Sequence, residues 1–119
     1  MQLKKIAGCF EDCFLESSPV GVICGKNGDE FEEKIPQGYA FYKKIGITAM
    51  HITSKEITFL DEMHVMAKTY WRAFYTKEQK SGHIDFEIIY FLRYMNNSYK
   101  IFLYITGDEQ ETLKQYGLV

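Results

Sequence analysis

The chain has 119 residues, 46% of them apolar and 25% charged, a length and balance that fit one globular domain over 1–119 and exclude disorder. A formal net charge of −2 leaves no basic footprint for nucleic acid. No apolar run reaches the roughly 18–20 residues of a membrane span, so neither partner is expected.

Met1-Gln2-Leu3-Lys4-Lys5 starts like a secretory leader, but Glu11 and Asp12 interrupt it and no small-residue cleavage site follows. Leu3, Ile6, Ala7, Phe10, Cys13 and Phe14 recur at steps of three and four, which predicts an amphipathic first helix stopped by Ser17-Ser18-Pro19. Val20 to Cys24 reads as a small strand and Lys26-Asn27-Gly28 as a turn. Asp29 can cap a helix through Phe31 and Ile35. Pro36 suits the first position of a further helical piece through Tyr39, Phe41, Tyr42 and Ile45, closed by Gly46. Cys9, Cys13 and Cys24 are an odd set without disulfide or zinc spacing, so buried reduced thiols and a cytoplasmic setting are expected.

After Gly46 the period changes to two. Strands are expected over 47–60, 64–76, 84–94 and 99–106, with a polar loop from Lys77 to Gly82 and a tight turn at Asn96-Asn97. Asp108 and Glu111 have capping-box spacing for a last helix ending at Gly117. Helices segregated from a meander predict an α+β fold, a curved antiparallel sheet with helices on its concave face.

Placing Tyr75 opposite Ile84, and a two-residue turn at Asn96-Asn97, sorts the strands into two faces. The concave face collects Val65, Ala67, Thr69, Trp71, Ala73, Phe86, Ile88, Tyr90, Leu92, Ile101, Leu103 and Ile105. The other face collects Lys68, Tyr70, Arg72, Asp85, Glu87, Ile89, Phe91, Phe102 and Tyr104, with Arg72 opposite Glu87 as a cross-strand ion pair. Tyr70, Ile89, Phe91, Phe102 and Tyr104 form an uncovered apolar patch, and a homodimer through it is expected.

Helix one, the Gly25-Lys26-Asn27-Gly28-Asp29 turn and the bent meander resemble the nuclear transport factor 2-like superfamily, which includes SnoaL-like and ketosteroid isomerase-like members. Trp71-Arg72-Ala73, Ile84 to Tyr90 and Lys100 to Glu109 carry the resemblance most strongly. It implies a cone-shaped fold, a pocket between helices and concave sheet, and dimers through the convex sheet. In ketosteroid isomerase-like members a carboxylate base follows the small strand and a tyrosine on helix one completes an oxyanion hole. Here Val20 to Gly25 holds no acid and helix one no tyrosine.

No catalytic set, cofactor or metal is assigned. Gly21, Gly25 and Gly28 match no phosphate loop. His64 and His83 read as surface residues beside turns, and the face of His51 stays open. Asp85 and Glu87 read as structural ion-pair partners, and Asp108 as a cap. The candidate pocket residues are Phe10, Phe14, Tyr39, Tyr42, Thr69, Trp71, Phe86 and Tyr90, a set suited to a flat apolar ligand that takes a hydrogen bond from Tyr42 or Tyr90. The expected function is binding of a small hydrophobic molecule. The alternatives are a cyclase, dehydratase or isomerase acting on a hydrophobic carbonyl compound, or a non-catalytic interaction scaffold.

Overall fold

In the computed structural model, which describes Ile6 and residues 8–119, the elements run β1 (Phe10–Ser18), β2 (Gly21–Lys26), α1 (Asp29–Ile45), β3 (Ile47–Phe59), β4 (His64–Lys77), β5 (Lys80–Met95), β6 (Ser98–Ile105) and α2 (Glu109–Gln115). The six strands form one curved, unclosed sheet in the order β2-β1-β6-β5-β4-β3. All neighbours are antiparallel except β1 and β6, which run parallel. The α+β class and the helix-covered curved sheet are as expected.

The first helix is the main correction. Phe10–Ser18 is a strand paired on both sides, so Phe10, Cys13 and Phe14 lie on β1. Leu3 to Lys5 and Ala7, also assigned to that helix, lie outside the described residues. The apolar residues of 10–18 fit either period, and pairing decides: Ser18 opposite Gly21 closes a hairpin around Pro19-Val20. The two expected helical pieces are one helix. Its N-cap is Gly28, without a side-chain cap, and Asp29 is its first residue. Pro36 lies inside it, where it forgoes one backbone hydrogen bond.

The Lys77 to Gly82 loop is a tight turn instead. Lys77 pairs with Lys80, and Glu78 and Gln79 both take positive φ (51° and 68°), as do Asn96 and Asn97 (55° and 62°). Tyr75 therefore opposes Gly82, two residues from the expected partner. An even shift leaves every side chain on its face. Arg72 now pairs with Asp85, at 2.8 Å from Nε to Oδ1, and Glu87 with Lys68 at 3.0 Å.

In β6 a bulge separates the Leu92–Ile101 pair from Phe91–Leu103. Beyond it the faces invert. Leu103 and Ile105 join Phe91 and Ile89 on the convex side, and Tyr104 turns to the concave side opposite Tyr90. The core gathers Ile45, Ile47, Ala73, Ile84, Leu113 and Leu118, where the C-terminal helix closes one end of the sheet. The Asp108 carboxylate accepts the Glu111 N–H at 3.1 Å, as the capping box predicts.

Candidate functional site

Gly46 ends α1 in a left-handed conformation and returns the chain directly into β3, which sets the helix beside the concave sheet. Phe31, Ile35, Tyr39 and Tyr42 follow one another at steps of three and four and so share a helix face. Between that face and the sheet runs an open groove of about 920 Å³, walled opposite by Met50, Trp71, Ile88 and Tyr90. Of the expected pocket residues, Tyr39, Tyr42, Trp71 and Tyr90 line it. The other four do not. Phe86 packs against the core cluster, and Thr69 is buried with its hydroxyl bound to the indole N–H of Trp71 at 3.0 Å. Phe10 and Phe14 meet Phe31 edge to face, at centroid distances of 5.1 and 4.8 Å.

The small Thr69 donates its own proton to the Ile88 carbonyl at 2.8 Å, which fixes the indole over the sheet. The same indole stands beside the Tyr90 hydroxyl, where it opposes the effect of burial on that phenol. Tyr42 donates to the Glu109 carboxylate, and Glu16 stands beside Tyr104 in the β1–β6 ladder, where its charge raises that phenol. The rings of Tyr90 and Tyr104 lie 6.2 Å apart. Three phenols and two carboxylates therefore meet beside the groove. Neither Glu16 nor Glu109 has an ion-pair partner among the described residues.

These assignments separate the tyrosines chemically. The Tyr42 proton is committed to the Glu109 carboxylate, and Tyr104 faces the charge of Glu16. Tyr90 has neither carboxylate among the causes that shift it, which are burial and the Trp71 indole. Glu16, Glu109 and the inward Tyr104 escape sequence reasoning. Glu16 was placed on a helix, Glu109 stands next to a residue already explained as a cap, and the β6 bulge has no composition signal. The one available clue was Ser17-Ser18-Pro19 running straight into a β-branched segment, a hairpin signal as well as a helix stop.

The histidines lie elsewhere. His64 sits at the β4 start with Nδ1 2.9 Å from Asp61. His51 and His83 flank Phe74 on the convex side, with ring centroids at 5.8 and 6.1 Å. Among the described residues, no group of three or more His, Cys, Asp or Glu could hold a metal ion. No described helix is long and apolar enough to cross a membrane.

Burial raises the Tyr42 phenol well above its ordinary 10.0, aided by Glu109. Burial, then the charge of Glu16, raises Tyr104, and burial raises Tyr90. Folding thus favours the protonated phenols. Their contribution is fully present below the unfolded tyrosine pKa of about 10 and falls as pH rises above it, where the unfolded chain releases protons that the folded chain keeps. Absorbance at 295 nm should show Tyr42, Tyr90 and Tyr104 ionising together with loss of structure, and their ionisation in the folded chain at the ordinary 10.0 would contradict this arrangement.

A scan against protein-family models finds no match, and a search of curated proteins finds none either. Solved structures do match. A nuclear transport factor 2-like protein of unknown function from Shewanella oneidensis has 16% identity over 89% of this chain and 83% of that chain, with a TM-score of 0.65. A nuclear transport factor 2-like protein with a cystatin-like fold from Novosphingobium aromaticivorans has 9% identity over 99% of this chain and 76% of that chain, with a TM-score of 0.68. A ketosteroid isomerase-like protein from Erwinia carotovora has 12% identity over 88% and 79%, with a TM-score of 0.61. At such identities likeness speaks for architecture and not for activity. The chain has the nuclear transport factor 2-like cone fold, the fold of the superfamily that its sequence resembles.

Proposed function

We propose that this chain is a small-molecule-binding protein whose groove takes a flat, largely apolar ligand carrying one hydrogen-bond acceptor. The observation that carries this reading is the aromatic groove of about 920 Å³ with Trp71 and Tyr90 on its wall. Trp71 supplies the stacking surface, and Tyr90 donates the orienting hydrogen bond. Tyr42 shapes the wall but keeps its proton on Glu109. The working unit in this proposal is a homodimer formed through the convex sheet.

Trp71 is the only tryptophan, so its emission reports on the groove. Titration with a panel of hydrophobic carbonyl compounds should quench or shift it saturably. Tyr90→Phe should weaken the best binder by roughly 10-fold, the size of one neutral hydrogen bond, whereas Tyr42→Phe should change its affinity less. No saturable response across the panel would remove the small-molecule reading and leave the scaffold.

A second reading is favoured by Glu16 and Glu109, two carboxylates that meet phenols beside an apolar groove, as acid–base catalysis on a carbonyl compound would need. Turnover of a panel compound that is lost in Glu109→Gln with binding retained would select the enzyme. Binding without turnover selects the carrier.

A further inference from the structure

The β1–β2 hairpin brings together two cysteines that the sequence separates. In its ladder Cys13 stands opposite Lys26 and Cys24 opposite Leu15, so the two are diagonal neighbours on one face. Strand twist turns such diagonal side chains toward each other. The Cys24 side chain lies close enough to Cys13 to raise the Cys13 thiol above its ordinary range. The expectation of buried thiols is corrected at this point: both side chains are exposed, and β2 is an edge strand. The pair lies outside the ligand groove, since neither residue lines it. The hairpin register is fixed from the other face. A Cβ added at Gly25 would stand 2.8 Å from the Phe14 ring, so ring and glycine lock together between the two cysteines.

We infer that Cys13 and Cys24 form a dithiol exchange site that reacts with low-molecular-weight disulfides of the glutathione type. Cys24 holds the Cys13 thiol above its ordinary range, so the exchange opens at Cys24, on the edge strand. Cys24 attacks one sulfur of the small disulfide. Its S–S bond breaks, and one small thiol departs with the proton that Cys24 loses. The Cys13 sulfur then attacks the Cys24 sulfur of the mixed disulfide, forming the Cys13–Cys24 bond and releasing the second small thiol with the Cys13 proton. Two protein thiols are oxidised and one small disulfide is reduced to two thiols, so no other oxidant is needed. The product staples β1 to β2 beside Phe14, whose ring meets Phe31 of the groove wall.

The test is intact-mass and peptide analysis of the reduced full chain treated with glutathione disulfide. The expected product is about 2 Da lighter than the reduced chain, contains a Cys13–Cys24 linked peptide, and returns to the starting mass with a dithiol reductant. Cys13→Ser should stop at a stable glutathione adduct on Cys24, while Cys9→Ser should react as the parent chain does. Glutathione adducts on the parent chain without loss of two hydrogens, or linkage through Cys9, would overturn the assignment. These readouts are independent of whether the groove binds anything.

Discussion

Replacing Gly46 by alanine should destabilise the fold by about 3 kcal/mol or more and lower its unfolding temperature by roughly 10 °C or more. Gly46 has φ +104°, a region that costs any L side chain energy, and an added Cβ would stand 2.7 Å from the Thr76 carbonyl oxygen. That carbonyl has little freedom to retreat. The Thr76 N–H donates to the Gly46 carbonyl at 3.0 Å, and Tyr75 beside it pairs with Ile47. The glycine also lies between Ile45 and Ile47, both in the core cluster, so any shift spreads into buried packing. Because Gly46 sets α1 against the sheet, the same change should weaken binding in the groove. Gly38 supplies the contrast. It lies inside α1 with open space where its Cβ would be, so alanine there should stabilise by up to about 1 kcal/mol. Denaturant melts of the two variants should move in opposite directions. A Gly46→Ala midpoint equal to the parent's would mean that the helix junction is not held as described.

The legibility of this site in its sequence depends on which errors preserve strand parity. The β4–β5 turn was placed two residues off, yet Trp71, Thr69 and Tyr90 kept their faces because side chains alternate with period two. Trp71 and Tyr90 therefore stand on the concave face in either register. The bulge in β6 adds a single residue, and this reverses parity for everything beyond it. Tyr104, assigned from alternation to the convex patch, consequently lies against Tyr90 and Phe10 on the concave side, with centroids at 6.2 and 5.9 Å. No residue type in Ile101 to Tyr104 marks that bulge. The first strand was lost for another reason: six apolar positions fitted a helical period, and hairpin pairing with Gly21–Lys26 outweighs that local preference. With the strand went Glu16, and so the acidic part of the site. Glu109 was hidden differently, since a helix N-terminus already accounts for an acidic residue there. Tyr39 and Tyr42 needed no tertiary knowledge. Their spacing survives whether α1 is one helix or two.

Replacing Phe91 by aspartate should convert a dimer of this chain into monomers, weakening association by about 1000-fold or more, which corresponds to roughly 4 kcal/mol. The convex sheet carries Ile89 opposite Ile105 and Phe91 opposite Leu103, with the Phe102 ring 6.5 Å from that of Phe91. It differs from the expected patch on β6, where Tyr104 leaves and Leu103 and Ile105 enter. Beside it the pairs Lys68–Glu87 and Arg72–Asp85 form a polar rim on the same face. An apolar centre with paired charges around it suits a two-fold contact, in which a second copy presents the same surface. Phe91 lies near the middle, so aspartate there would place an unpaired charge in a region that association must dry. The fold itself should tolerate the change, because the residue faces away from the core cluster. Sedimentation at micromolar concentration should give twice the 14.0 kDa chain mass for the parent and the single chain mass for Phe91→Asp. Tyr104→Asp should act differently from Phe91→Asp. It would set a charge beside Glu16 on the concave side and lower stability, whereas Phe91→Asp should keep the parent's circular dichroism and lose only the partner. A Phe91→Asp chain that still sediments as a dimer would place the contact on another surface.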